Sequence, residues 1–132
     1  MSFERVSSGA PWEEEVGYCR ALRAGAQIFV SGTAPVAPDG STFAPGDAYA
    51  QAKRCLEIAL AALAQLGAGA PDVVRTRMFV TDISRWQEFG RAHGEVFRDH
   101  RPATSMVEVR ALIDPEMLIE IEMEALVPPA PG

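Results

Sequence analysis

The last part of the chain alternates apolar and acidic residues. In the run MLIEIEMEALV, which begins at Met117, an acid occupies every second position: Glu120, Glu122 and Glu124. A period of two is that of a β-strand, so the run predicts a strand with one apolar face and one acidic face. The acidic face is either an ordinary surface in water or a face on which single carboxylates have a function.

A second alternating run, ATSMVEVRALI, begins at Ala103 and precedes the first. The turn sequence DPE separates the two runs and therefore predicts a C-terminal hairpin. Parity places three side chains on one face of its first strand: Val107, Val109 and Ala111. The opposite face receives four others: Thr104, Met106, Glu108 and Arg110.

Another hairpin is predicted near the N-terminus. The run VGYCRALRAGAQIFVSG reads as two strands joined between Arg23 and Ala26, with Gly25 in the turn. The following run, TAPVAPDGSTFAPGD, contains three prolines and two glycines and cannot continue a central strand. It predicts a long surface loop of the kind that often carries function.

Two segments between the hairpins have helical periodicity. The first begins at Asp47, a plausible cap, and ends at Gly67. Its apolar stripe contains Tyr49, Ala52, Leu56, Ala59, Leu63 and Leu66. The second begins with a capping box of Ser84 and Gln87 and ends before Pro102. Its apolar side contains Trp86, Phe89, His93 and Phe97.

A strand, DVVRTRMFVTD, lies between these helices, so the element order is hairpin, helix, strand, helix, hairpin. This order predicts an α+β fold with a single mixed sheet and both helices packed on one face. The other face is then polar. Arg75 and Arg77 share a face with Phe79, so opposite charges could pair across strands. Phe79 and Met106 on such faces suggest partial cover by another copy of the chain.

Composition limits the class of protein. The 132 residues, 48% apolar and 23% charged, fit one domain over residues 1–132, with a proline-rich tail at 128–132. No apolar segment approaches the roughly 20 residues of a membrane span, and acids replace the apolar core of a signal peptide. We therefore expect a soluble, cytoplasmic protein. A net charge of −6, without a basic cluster, makes nucleic acid an unlikely partner.

The two cysteines, Cys19 and Cys55, have neither CxxC spacing nor a neighbouring histidine. We expect reduced thiols, and the sequence predicts neither a metal site nor a cofactor.

The residues quoted so far resemble a known family. The pair PATSMVEVRAL and IEIE, the tyrosine of VGYCRA and the segment IFVSGTAP are similar to the RidA/YjgF family of enamine and imine deaminases, also called L-PSP endoribonucleases. The resemblance covers residues 17–127. It implies a chorismate-mutase-like fold and a homotrimer whose sheets form an inner barrel. It also implies a small-molecule pocket at each subunit interface.

The resemblance also implies site residues. Tyr18 corresponds to a pocket tyrosine, Ser31 and Gly32 to a segment whose backbone lines the pocket, and Glu120 to a glutamate that positions the hydrolytic water. Thr104 is a departure, because deaminase-competent members have an arginine there that binds a substrate carboxylate. A threonine hydroxyl offers no charge.

Two further departures accompany Thr104. Met106 stands where many members have cysteine, and Gly90 lies near a position often occupied by asparagine.

Other residues could supply the missing charge or a base. Arg110 is too far from Thr104, because six strand residues span roughly 20 Å. Arg77 either faces the substrate or pairs with Glu120 or Glu122. His93 is either a pocket base or a hydrogen-bonded core residue.

Three functions remain open at the level of the sequence. The first is an imine or enamine hydrolase that uses Glu120 and does not bind a carboxylate at Thr104. The second is a non-catalytic trimeric protein that binds a small molecule or has a regulatory role. The third, a ribonuclease or translation inhibitor, is disfavoured by the acidic charge.

Overall fold

The computed structural model describes residues 3–128 and contains one six-stranded sheet. The strands are β1 (Glu4–Val6), β2 (Ala21–Ala24), β3 (Gln27–Thr33), β4 (Val73–Val80), β5 (Ala103–Glu108) and β6 (Ile119–Leu126). The helices are α1 (Pro11–Val16), α2 (Ala48–Gln65) and α3 (Trp86–Phe97). The strand order is β1–β2–β3–β6–β4–β5. The predicted α+β fold with a single mixed sheet is confirmed.

The N-terminal hairpin is confirmed, but its first strand is shorter than predicted. Gly25, with φ at 63°, forms the turn between β2 and β3. The residues before β2 include the short helix α1, which the sequence reasoning missed because its run PWEEEV has no apolar stripe. Gly17, with φ at 93°, ends that helix. Tyr18 and Cys19 therefore lie in the link to β2 rather than in a strand.

The predicted C-terminal hairpin is wrong. Strand β5 pairs in parallel with β4, while β6 lies between β3 and β4 and is antiparallel to both. The ten residues between β5 and β6 carry the chain across β4, which a tight turn at DPE could not do. The strand with the alternating acids is thus central in the sheet, and its apolar side chains are buried under the helices.

The face assignment in β5 is also wrong. Thr104 lies opposite Thr76 of β4, and Thr76 is buried beneath the helices. Met106 likewise packs against the core, whereas Val107 is 46% exposed on the other face. Alternation along one strand shows which residues share a face but not which face is covered.

Helix α2 begins and ends near the predicted residues. The Asp47 carboxylate accepts a hydrogen bond from the Ala50 amide at 3.0 Å, and Gly67 follows the last turn with φ at 87°. Both α2 and α3 bury apolar side chains against the same face of the sheet, as predicted. No helix within residues 3–128 is long and apolar enough to cross a membrane.

The predicted start of α3 needs two corrections. The Asp82 carboxylate, not Ser84, caps the preceding 3₁₀ turn, because the Ser84 amide and hydroxyl both donate to it, at 3.0 and 2.6 Å. Trp86 is 55% exposed and does not belong to the buried side of α3, which contains Phe89, Ala92 and Phe97.

The uncovered face of the sheet, here called the open face, carries the three acids of β6. Arg77 donates to Glu122 at 3.1 Å and to Glu124 at 3.2 Å, so the predicted cross-strand ion pairs are present. Phe29 and Val107 are exposed on the same face. The open face therefore combines paired charges with exposed apolar side chains.

Candidate functional site

A cavity of about 810 Å³ lies at one end of the open face. Helix α1 and the segment before it form one wall, the loop after β3 forms another, and α2 contributes a third. Three of the residues singled out in the sequence line it together: Tyr18, Gly32 and Glu120. Its volume is in the range of small-molecule sites.

Glu120 lies against the backbone of Gly32. A Cβ at position 32 would be 2.9 Å from the Glu120 Cδ and would collide with Oε1. The pairing of β3 with β6 is irregular between Val30 and Thr33, which brings this part of β3 close to the carboxylate. Glycine is the residue that permits such an approach.

Arg20 is the cavity residue that the sequence reasoning missed. Its guanidinium donates a hydrogen bond to the Gly32 carbonyl and lies 5.7 Å from the centre of the Tyr18 ring. The residue is only 8% exposed, and within residues 3–128 its Nε has no hydrogen-bond partner. One sequence signal could have indicated it: Tyr18 and Arg20 are two residues apart in an extended segment, so their side chains point to the same side.

Backbone hydrogen bonds fix Arg20. Its amide donates to the Val6 carbonyl at 2.8 Å, and its carbonyl accepts from the Ser31 amide at 3.0 Å. The Ser31 hydroxyl donates to the Cys19 carbonyl at 2.8 Å. Ser31 thus holds the link before β2 in place but lines a neighbouring depression rather than the cavity.

Burial raises the pKa of the Glu120 carboxyl, the positive charge of Arg20 lowers that pKa, and the negative charge of Glu122 raises it. The net effect is a pKa above the usual glutamate value. A carboxylate with a raised pKa and access to a cavity is a better proton acceptor than one in water.

Thr104, Met106 and His93 lie on the opposite face of the sheet from Glu120. The Thr76 hydroxyl is hydrogen-bonded to the Thr104 hydroxyl and to the His93 Nε2, both at 2.8 Å. Burial lowers the pKa of His93, so the ring is neutral at pH 7. His93 is therefore the hydrogen-bonded residue of the two alternatives, and Thr104 and Glu120 do not meet within one chain.

Arg77 and the cysteines lie outside the cavity. Arg77 pairs with Glu122, one of the two predicted partners, and with Glu124 instead of Glu120. Burial raises the pKa of the Cys55 thiol far above its usual value, so it stays protonated. Within the part of the chain that the structure describes, no three His, Cys, Asp or Glu side chains could hold a metal ion.

Known proteins are similar to this chain in sequence and in fold. The sequence pattern of the family described as Endoribonuclease L-PSP matches residues 10–127. A structure from Mycobacterium tuberculosis, described as a member of the YjgF/YER057c/UK114 family, superposes with a TM-score of 0.86 at 48% identity, over 96% of this chain and 100% of the other. The chain belongs to the YjgF/L-PSP family. The predicted resemblance is confirmed.

Two further proteins are similar to this YjgF/L-PSP protein, one in sequence and one in structure. An uncharacterized protein of Streptomyces coelicolor is 39% identical over 92% of this chain and 90% of its own length. Escherichia coli TdcF, whose structure has serine bound, superposes with a TM-score of 0.77 at 26% identity, covering 92% of each chain.

Proposed function

We propose that this protein hydrolyses reactive imines or enamines of small metabolites to carbonyl compounds and ammonia. The observation that carries the proposal is the Glu120 carboxylate, half-buried against Gly32 in a cavity of about 810 Å³. Membership of the YjgF/L-PSP family supports it. The cytoplasmic location stays a prediction from the sequence.

The proposed reaction needs one positioned carboxylate. A water molecule held by Glu120 attacks the carbon of a protonated imine, the C–O bond forms, and the C=N electrons move to nitrogen. Glu120 accepts the proton of the water and then passes it to that nitrogen. The C–N bond breaks as the hydroxyl oxygen forms the carbonyl, ammonia leaves, and the last proton goes to water.

The complete site is proposed to need a second copy of the chain, in a homotrimer. Glu120 and Thr104 lie on opposite faces of one sheet, so a pocket that contains both would have to form between chains. The exposed Phe29 and Val107 on the open face support such an association. Thr104 and Met106 of one chain would then complete the cavity that Glu120 lines in another.

The test is ammonia release from imines generated in place by amino-acid and amine oxidases. We expect release to be faster than in water and Glu120→Gln to reduce it by about 10²-fold or more, the usual contribution of a general base. Glu124→Gln is the matched control, because Glu124 lies on the same strand and face but outside the cavity. Equal rates for wild type and Glu120→Gln would contradict the mechanism.

The absence of a cation at position 104 favours a second candidate, a protein that binds a small molecule without turnover. Ligand binding by calorimetry with no ammonia release from any imine of the panel would support it. A ribonuclease activity, which the family name suggests, has little support in a chain with a net charge of −6.

A further inference from the structure

We propose that Arg20 binds the acid group of the substrate and takes the place of the arginine that position 104 lacks. The substrate would be an imine whose carbon carries a carboxylate and an apolar side chain. This inference rests on the proposed function and names its substrate class.

Arg20 is a buried cation with incomplete pairing. Arg20 is 8% exposed, yet among the described residues it takes part in no ion pair within 4 Å. The Gly32 carbonyl accepts a hydrogen bond from one of the five N–H groups of the guanidinium, and among the described residues the buried Nε has no hydrogen-bond partner. Glu120 and Glu13 interact with the charge of Arg20, but neither forms an ion pair with it. A guanidinium out of water is costly when it is incompletely bonded, so the cavity beside it is suited to an anion.

Arg20 and Glu120 both lie against Gly32. The guanidinium donates to the Gly32 carbonyl, and the Glu120 carboxylate lies against the Gly32 Cα. Arg20, which would bind the carboxylate, and Glu120, which would act as the base, therefore lie on either side of the same residue. In an imino acid, the carboxylate is bonded directly to the carbon that water attacks. The residue that binds the carboxylate and the residue that positions the water must therefore lie close to each other.

The other residues of the cavity leave Arg20 as the cation suited to an acid group. Arg54 also lines it, but its Nε donates to the Val36 carbonyl at 2.8 Å and its Nη1 lies 3.5 Å from Glu57. Arg54 is thus engaged by the loop after β3 and by its own helix. Apolar side chains complete the lining and suit an apolar substituent: Trp12, Val36, Ile58 and Ile113.

A binding experiment separates the charge from the chemistry. Calorimetry would compare 3-phenylpropanoate with 3-phenylpropanamide, which differ in charge but hardly in shape. We expect wild type to bind the acid about tenfold more tightly or better, as charge-assisted hydrogen bonds allow. Arg20→Gln should remove this preference, Arg20→Lys should keep part of it, and Arg54→Gln should keep it.

Several results would overturn the inference. One is a wild type that does not distinguish the acid from the amide, including a wild type that binds neither. Another is an Arg20→Gln variant that still prefers the acid. Thermal melting of each variant shows that it is folded, and the folded Arg20→Lys variant keeps the comparison usable if Arg20→Gln does not fold.

Turnover distinguishes this inference from the proposed function. At a pH above the acid limb of both proteins, Arg20→Gln should slow ammonia release from amino-acid imines about tenfold or more relative to its effect on carboxylate-free imines. Equal losses on both sets would assign Arg20 a role in positioning Glu120 and overturn the inference, while the proposed function stands. Glu120→Gln should slow release from both sets yet keep the binding preference for the acid.

Discussion

At the scale of single residues, the cavity depends on Gly32, which lies between Glu120 and Arg20. Its carbonyl receives the guanidinium and its Cα leaves room for the carboxylate. Tyr18, Gly32 and Glu120 could be assigned to one pocket from the sequence, because a family resemblance covers them. Arg20 shares the parity of Tyr18, but it was missed because parity does not show that a charged residue beside a strand is buried.

Gly32→Ala should reduce kcat/KM for ammonia release by about 10²-fold, because its Cβ displaces the Glu120 carboxylate and a misplacement near 1 Å has an effect of that size. The Gly32 backbone is not in the left-handed region, so alanine is conformationally allowed and the melting temperature should change little. Gly69→Ala is the control, since its Cβ would be 3.7 Å from Pro71. Full activity in Gly32→Ala would mean that the carboxylate position is unimportant.

The acid limb of the kcat/KM profile should lie above the pH at which an ordinary glutamate titrates, because the pKa of Glu120 is raised. Activity requires the ionised carboxylate and is lost as the pH falls through that pKa. Arg20→Gln removes a charge that lowers this pKa, so the limb should move to higher pH. Glu122→Gln removes a charge that raises it and should move the limb to lower pH.

These two shifts of opposite sign form an internal control. They would be measured with a carboxylate-free imine, so that substrate binding by Arg20 does not enter. Shifts of the same sign in both variants would assign the acid limb to a group other than Glu120.

At the scale of elements, strand types were predictable but strand partners were not. The alternation in β5 and β6 identified both as strands, since the period is a local property. Pairing depends on contacts between distant segments, so the insertion of β4 between them left no local signal. The error carried over to the site, because it placed Thr104 on the face of Glu120. Asp47 and Gly67 were predictable because caps are local.

Thr76 links β4 to both β5 and α3, and Thr76→Val should lower the free energy of unfolding by about 1–3 kcal/mol. The fully buried hydroxyl bonds to Thr104 and to the His93 Nε2, and valine leaves that half-buried ring without its partner. Urea unfolding would measure the loss. Thr104→Val removes one of the same bonds at an exposed position and should change stability by less than about 1 kcal/mol.

Equal effects of the two threonine substitutions would show that the His93 bond contributes little. The ring would then have found another partner.

At the scale of the whole molecule, the sequence predicted the layer arrangement and the uncovered face. Helices on one side and alternating charges on the other follow from periodicity, and the Arg77 pairs confirm the charge pattern. The cavity shape could not be predicted, because its walls come from the loop after β3 and from α1, which have no regular period. Of the predicted proline-rich tail at 128–132, only Pro128 is among the described residues.

The protein in solution should have three times the 14.2 kDa mass of one chain, measured by light scattering after size exclusion. Phe29→Glu should reduce that mass, since it places a further carboxylate opposite Glu124 on the open face. Ala61→Glu adds the same charge on the exposed side of α2 and should leave the mass unchanged. A wild type with the mass of one chain would remove the basis for a shared pocket.

The division of Glu120 and Thr104 between opposite faces of the sheet has a consequence for enzyme assays. If each working pocket combines two chains, its abundance follows mass action, and specific activity depends on total protein concentration. Dilution below the dissociation constant of the assembly should give a rate that falls more steeply than in proportion to the protein concentration. An enzyme with its whole site in one chain would keep a constant specific activity on dilution.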